Sequence, residues 1–72
     1  MPSKFPILTP SKIISALQKI AFIFISQKGS HMKYSNGSRI VIIPNHDTIA
    51  RGTLSSILKQ AGISIEDFLK LL

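Results

Sequence analysis

The chain has 72 residues, 9 of them Lys or Arg and only 3 Asp or Glu, for a formal net charge of +6. That length corresponds to one domain with a small core, because a chain this short hides only about 60% of its unfolded surface. Cysteine is absent, which excludes disulfides, a thiolate zinc site and a cysteine nucleophile. Hydrophobic residues make up 44% and mean hydropathy is +0.30, so the composition is that of a folding chain and not of a disordered tail. No acidic residue precedes Asp47. A basic domain of this kind calls for a polyanionic partner: nucleic acid, or an anionic membrane or protein surface. The longest apolar run, residues 20–25, falls far short of the roughly 18–20 residues of a membrane span. Gln18 and Lys19 interrupt the apolar stretch and no small-residue cleavage site follows, so no leader and a cytoplasmic location are expected.

Residues 1–8 carry two prolines and no period, and read as an extended lead-in to a single domain over 9–72. Thr9 is placed to cap a helix that has Pro10 at its first position, where a missing N–H costs nothing. Ile13, Ile14, Leu17, Ile20 and Ala21 then form one apolar stripe. At residues 22–25 (FIFI) the pattern changes to β-formers and predicts a strand. Residues 27–30 (QKGS) read as a turn and residues 31–35 as a second strand. Asn36-Gly37 is a strong hairpin signal, both residues then taking positive φ. Residues 39–43 (RIVII) give a third strand that Pro44 ends or marks as an edge.

Residues 45–52 read as a loop. Thr53 is the expected cap of a second helix with Leu54, Ile57, Leu58 and Ala61 inward. Gly62 sits where a left-handed C-terminal residue belongs. Ser64 opens a last short helix, with Glu66 and Asp67 favourable in its first turn and Ile65, Phe68, Leu69 and Leu72 as its apolar face. The order α-β-β-β-α, with a short extra C-terminal helix, predicts an α+β domain. A three-stranded antiparallel sheet with helices on one face buries every apolar stripe most simply.

Candidates for chemistry are few. The histidines are His31 and His46 and the carboxylates Asp47, Glu66 and Asp67. A two-carboxylate hydrolase is poorly supported, there is no Walker loop or H-E-x-x-H motif, and neither a metal nor a cofactor is expected. The densest polar cluster is residues 27–34 (QKGSHMKY). On a strand, His31 and Lys33 share one side while Met32 and Tyr34 take the other. An imidazole can take the proton of an RNA 2′-hydroxyl or protonate a leaving oxygen near neutral pH. A lysine can offset the charge of a pentavalent phosphate, and Gly29 lets backbone N–H groups approach it. On local chemistry alone the plainer reading, a solvated basic face, is the stronger.

A resemblance alters that balance. QKGSHMKY (27–34), IIPNH (42–46) and RGTLSSILKQAGIS (51–64) together resemble the HicA family of mRNA-cleaving toxins over about residues 10–72. The resemblance implies a double-stranded-RNA-binding-domain-like fold, which agrees with the element order above. It also implies a ribosome-independent endoribonuclease, an mRNA substrate, and a HicB-type antitoxin that covers the site. The histidine of the G-S-H element, here His31, is then the catalytic residue. Lys28, Gly29, Ser30, Lys33, His46 and Arg51 are the candidate RNA-binding residues. Of these, Gly29 and Ser30 read first as shaping the turn and His46 as structural in its loop. Tyr34 reads as core rather than a stacking platform. Members often carry glycine where Ala21 precedes Phe22, and more charge than residues 45–50 (NHDTIA) have here. The expected chemistry is metal-independent attack of the 2′-hydroxyl on the adjacent phosphate, by a toxin that is itself monomeric. Two alternatives stay open: a non-catalytic RNA-binding module of the same fold, and a protein whose basic face simply docks an acidic partner.

Overall fold

Thr9 and Pro10 set the first helix. In the computed structural model, which describes residues 6–72, the Thr9 hydroxyl oxygen accepts from the Lys12 N–H at 3.3 Å and α1 runs Pro10–Gln18. Such a cap contributes about 1 kcal/mol. Helix α1 buries Ile13, Ala16 and Leu17, with Ile14 and Ile20 half-buried beside them. The chain then reverses through Ala21, which takes a left-handed φ of 73°. That reversal buries Phe22 completely and launches the sheet. Residue 21 is thus a backbone position, whose strain a glycine would not bear.

The sheet is an antiparallel meander in the order β1-β2-β3, made of β1 (Ile23–Lys28), β2 (His31–Ser35) and β3 (Ile40–Pro44). Gln27 and Lys28 belong to β1 and not to a turn. Lys28 pairs directly with His31, so the connection shrinks to Gly29-Ser30, with φ 59° at Gly29. Positive φ at the first of two loop residues is the pattern of a type II′ hairpin, whose twist matches that of its strands.

The second hairpin also differs from expectation. Its loop residues are Gly37 and Ser38, with φ 94° at Gly37 alone, and the Asn36 N–H donates to the Arg39 carbonyl at 3.2 Å. Asn36 serves through its side chain: Oδ1 accepts from the N–H groups of Ser38 (2.9 Å) and Arg39 (2.8 Å). The side chain closes the turn, so no second residue with positive φ is needed.

Helix α2 spans Arg51–Ala61 with Ala50 at its N-cap and no side-chain cap bond, so Thr53 lies inside the helix rather than at its start. It ends at Gly62, left-handed with φ 76°, as the sequence predicts. Helix α3 (Ile65–Leu69) is capped by Ser64, whose Oγ accepts from the Asp67 N–H at 3.1 Å. Only Phe68 of its expected apolar face is fully buried; Ile65 is half-buried, and Leu69 and Leu72 stand exposed.

All helices lie against one side of the sheet. The core joins Met32, Tyr34, Val41 and Ile43 of that side to Ile13, Leu17, Leu54, Ile57, Leu58 and Phe68 of the helices. Two additions escape the sequence reading. Ile49, assigned to a loop, is buried, and its N–H donates to the Leu8 carbonyl at 2.7 Å in an isolated bridge. Residues 1–5 of the lead-in lie outside the described residues. Also, residues 22–25 do not enter the core together: Phe22 is buried, while Ile23, Phe24 and Ile25 are 62%, 52% and 50% exposed.

Candidate functional site

The face of the sheet turned away from the helices carries the candidate site. Cross-strand partners in an antiparallel pair share a face. Lys28 stands opposite His31 and Ser26 opposite Lys33 on the β1–β2 side. On the β2–β3 side His31 stands opposite Pro44 and Lys33 opposite Ile42. These residues enclose an open depression of about 530 Å³ lined by Ser26, Lys28, His31, Lys33 and Ile42. The alternation that sends His31 and Lys33 outward sends Met32 and Tyr34 inward, and both of these are buried. Tyr34 is therefore core and offers no face to a base.

The two-residue turn fixes the relation between Lys28 and His31. A longer loop would let the strands splay; Gly29-Ser30 holds the ammonium stem and the imidazole on adjacent strands at one rung of the ladder. Two rungs on, at the next pair of the same face, Ser26 and Lys33 repeat the device. The result is two cationic side chains and an imidazole around a hydroxyl, on a surface with no carboxylate anywhere in strands β1 to β3. His31, Lys28 and Ser26 are exposed and Lys33 is half-buried, so a polyanion can reach all four. Ile42, 36% exposed, supplies an apolar floor.

Gly29 and Ser30 shape this site from its end and do not line it. The Ser30 carbonyl accepts the Asn45 N–H at 2.6 Å, which pins the start of the 45–50 loop to the turn beside His31. His46 stands one residue beyond that anchor and is exposed, outside the depression. Arg51 is the first residue of α2 and also lies outside it. Of the seven residues singled out in the sequence, the structure thus gathers Lys28, His31 and Lys33 and leaves Gly29, Ser30, His46 and Arg51 at the periphery. Ser26 and Ile42 were missed. The signal for Ser26 was present: Gly-Ser is a two-residue turn pair, and a hairpin closed on it extends β1 to Lys28 and puts Ser26 on the same face.

Among the described residues no cluster of three or more His, Cys, Asp or Glu is placed to hold a metal ion. No helix among them is long and apolar enough to cross a membrane.

The family model described as the HicA toxin of bacterial toxin–antitoxin systems matches residues 10–63. The chain belongs to this family. The match runs from the first residue of α1 to the residue after Gly62, so it includes every strand and the whole depression. It makes the chain a toxin-family member and implies an antitoxin as its partner. A search of curated protein sequences returns no significant match.

Proposed function

We propose that this HicA-family chain is an endoribonuclease that cleaves mRNA by transesterification, with His31 as its general acid–base. The observation that carries the reading is the grouping of His31 with Lys28 and Lys33 on one open sheet face of a HicA-family domain. In the reaction the RNA 2′-oxygen forms a bond to the adjacent phosphorus and the bond to the 5′-oxygen breaks. The products are a 2′,3′-cyclic phosphate and a 5′-hydroxyl. His31 takes the proton from the 2′-hydroxyl or delivers one to the departing 5′-oxygen, and water handles the other transfer. Lys28 and Lys33 face the non-bridging oxygens, where negative charge builds in the transition state. The Ser26 hydroxyl serves as donor or acceptor to the backbone. The substrate carries its own nucleophile, so the scheme requires no metal. A HicB-type antitoxin covers His31 and silences the toxin, which acts in the cytoplasm as a monomer.

The test is cleavage of a labelled, unstructured RNA in EDTA by the parent chain and by His31→Ala. Loss of one acid–base group costs about 10²–10⁴-fold in rate, and the variant should keep its fold and its RNA affinity. If neither protein cuts while both bind RNA equally, the chain is an RNA-binding module and the catalytic assignment is wrong.

A further inference from the structure

The two edges of the sheet are treated differently. At β3 the outward N–H of Ile42 donates to Oε1 of Gln60, from helix α2, at 2.8 Å, so a side chain occupies that edge. Among the described residues no side-chain hydrogen bond is seen to cap the edge of strand β1 as Gln60 caps β3, and all six of its residues are exposed. The direction of its free backbone groups follows from the ladder. Because Ile42 turns outward, its partner Lys33 turns its own N–H and C=O toward β1 and bonds with Ser26. Alternation then turns the N–H and C=O of Gln27 and of Phe24 out of the sheet. Between them the register shift leaves Ile25 without a partner on β2. Phe24 is held in place by an edge-to-face contact with Tyr34, 5.6 Å between ring centres. An unblocked, ordered, apolar edge is a template for another strand.

We infer that β1 is the docking strand of this toxin: the antitoxin adds a strand to its outer edge, extending the three-stranded sheet to four. The inference rests on the toxin reading above. Charge selects this occupant over a second copy of the chain. The protein carries +6, and the β1–β2 hairpin holds Lys28, His31 and Lys33 with no acidic residue. A strand with apolar side chains toward Ile23 and Phe24, and carboxylates toward Lys28, complements it; the β1 of another copy brings Lys28 and no carboxylate. Position links docking to control. Ser26 and Lys28 belong both to β1 and to the rim of the depression, so a strand laid on β1 borders the site. The chain that follows it can cross His31.

The experiment uses the full chain with the antitoxin encoded beside it, and two edge variants. Gln27→Pro removes an outward donor while leaving the β1–β2 ladder intact, as proline on an edge does. Ile25→Lys places a charge at the unpartnered bulge and serves should the proline variant not fold. In the parent complex, hydrogen exchange at the Phe24 and Gln27 amides should slow by about a hundredfold or more, of the order seen when an exposed amide enters a ladder. Each folded variant should still cleave RNA and bind the antitoxin at least about tenfold more weakly. Unchanged antitoxin affinity in the variants, or unprotected Phe24 and Gln27 amides in the complex, would overturn the edge assignment while leaving the toxin reading standing. Protection of the same amides in the free chain, with a doubled mass, would overturn it in favour of a second copy. A parent that neither cleaves RNA nor binds the antitoxin sinks both readings together.

Discussion

Neutralising the lysines of the depression gives the sharpest test of how the open face meets RNA. Two lysine side chains line it, Lys28 and Lys33, one on each rung beside His31. Each phosphate neutralised on a single strand contributes about −0.7 to the slope of log K against log salt, so two contacts predict about −1.4. Between 50 and 200 mM salt that slope lowers affinity roughly sevenfold, and a single contact lowers it only about 2.6-fold. Lys33→Gln or Lys28→Gln should therefore each take about 0.7 off the slope, and the double variant about 1.4. Glutamine keeps much of the stem, which matters at half-buried Lys33 because its methylenes cover the sheet. The assay is fluorescence anisotropy with RNA carrying 2′-O-methyl groups, which removes the nucleophile and lets the parent bind without cutting. Arg51→Gln extends the measurement: a further drop of about 0.7 would carry the RNA path beyond the depression to the start of α2. A double lysine variant that keeps the parent's slope would refute the placement of RNA on this face.

Two stability predictions follow from backbone conformation. Ala21 holds φ 73°, which costs a non-glycine residue about 1–2 kcal/mol, and glycine's extra unfolded-state entropy returns about 0.5–1 of that. Ala21→Gly should therefore stabilise the fold by about 0.5–1 kcal/mol and raise the melting midpoint by about 4 °C; a lower midpoint in a thermal melt contradicts the argument. Gly62 is left-handed with φ 76°, and an added Cβ would lie 2.5 Å from Nε of Arg39. Gly62→Ala should cost the about 1–2 kcal/mol of the backbone alone, because the exposed Arg39 side chain is free to swing aside. An Arg39→Ala background should then leave that cost unchanged within about 0.5 kcal/mol, and a larger coupling in a urea titration of the four-member cycle would contradict the argument.

What could be read in advance was whatever is decided within a few residues. Thr9-Pro10 and Ser64 start helices because their hydroxyls reach N–H groups three residues on. Gly62 ends one because glycine tolerates its φ. His31 and Lys33 share a face because strands alternate, whatever lies on either side. The errors fall where a distant contact, or a side chain not counted in the pattern, settles the matter. Asn36 was given a place inside its turn, yet its amide oxygen binds the turn from outside. Thr53 looked like a cap, but α2 starts earlier, its first bond running from the Leu54 N–H to the Ala50 carbonyl at 2.9 Å. Ile49 gives no periodic signal; only its bridge to Leu8 reveals it as core. Arg39 read as the first residue of the third strand, whereas β3 begins at Ile40 and the Arg39 side chain lies over the end of α2 at Gly62.

The apolar run at the start of β1 is the instructive case, because residue types specified a strand there without deciding which of its residues are covered. β-Branched and aromatic residues do specify a strand there, but a strand has two faces and, at the end of a sheet, one free edge. Three helices totalling 25 residues (9, 11 and 5) cover one face of the meander, and α2 lies along β3 closely enough for Gln60 to occupy its edge. Nothing in the described chain is left to cover β1. The surfaces open for recognition are thus the outward face and the β1 edge, and they meet at Ser26 and Lys28. A strand paired with the edge would lie beside Lys28, the lysine that stands opposite His31. On the docking proposed above, antitoxin and RNA should therefore compete for the toxin even when the antitoxin segment lying on β1 never touches the imidazole.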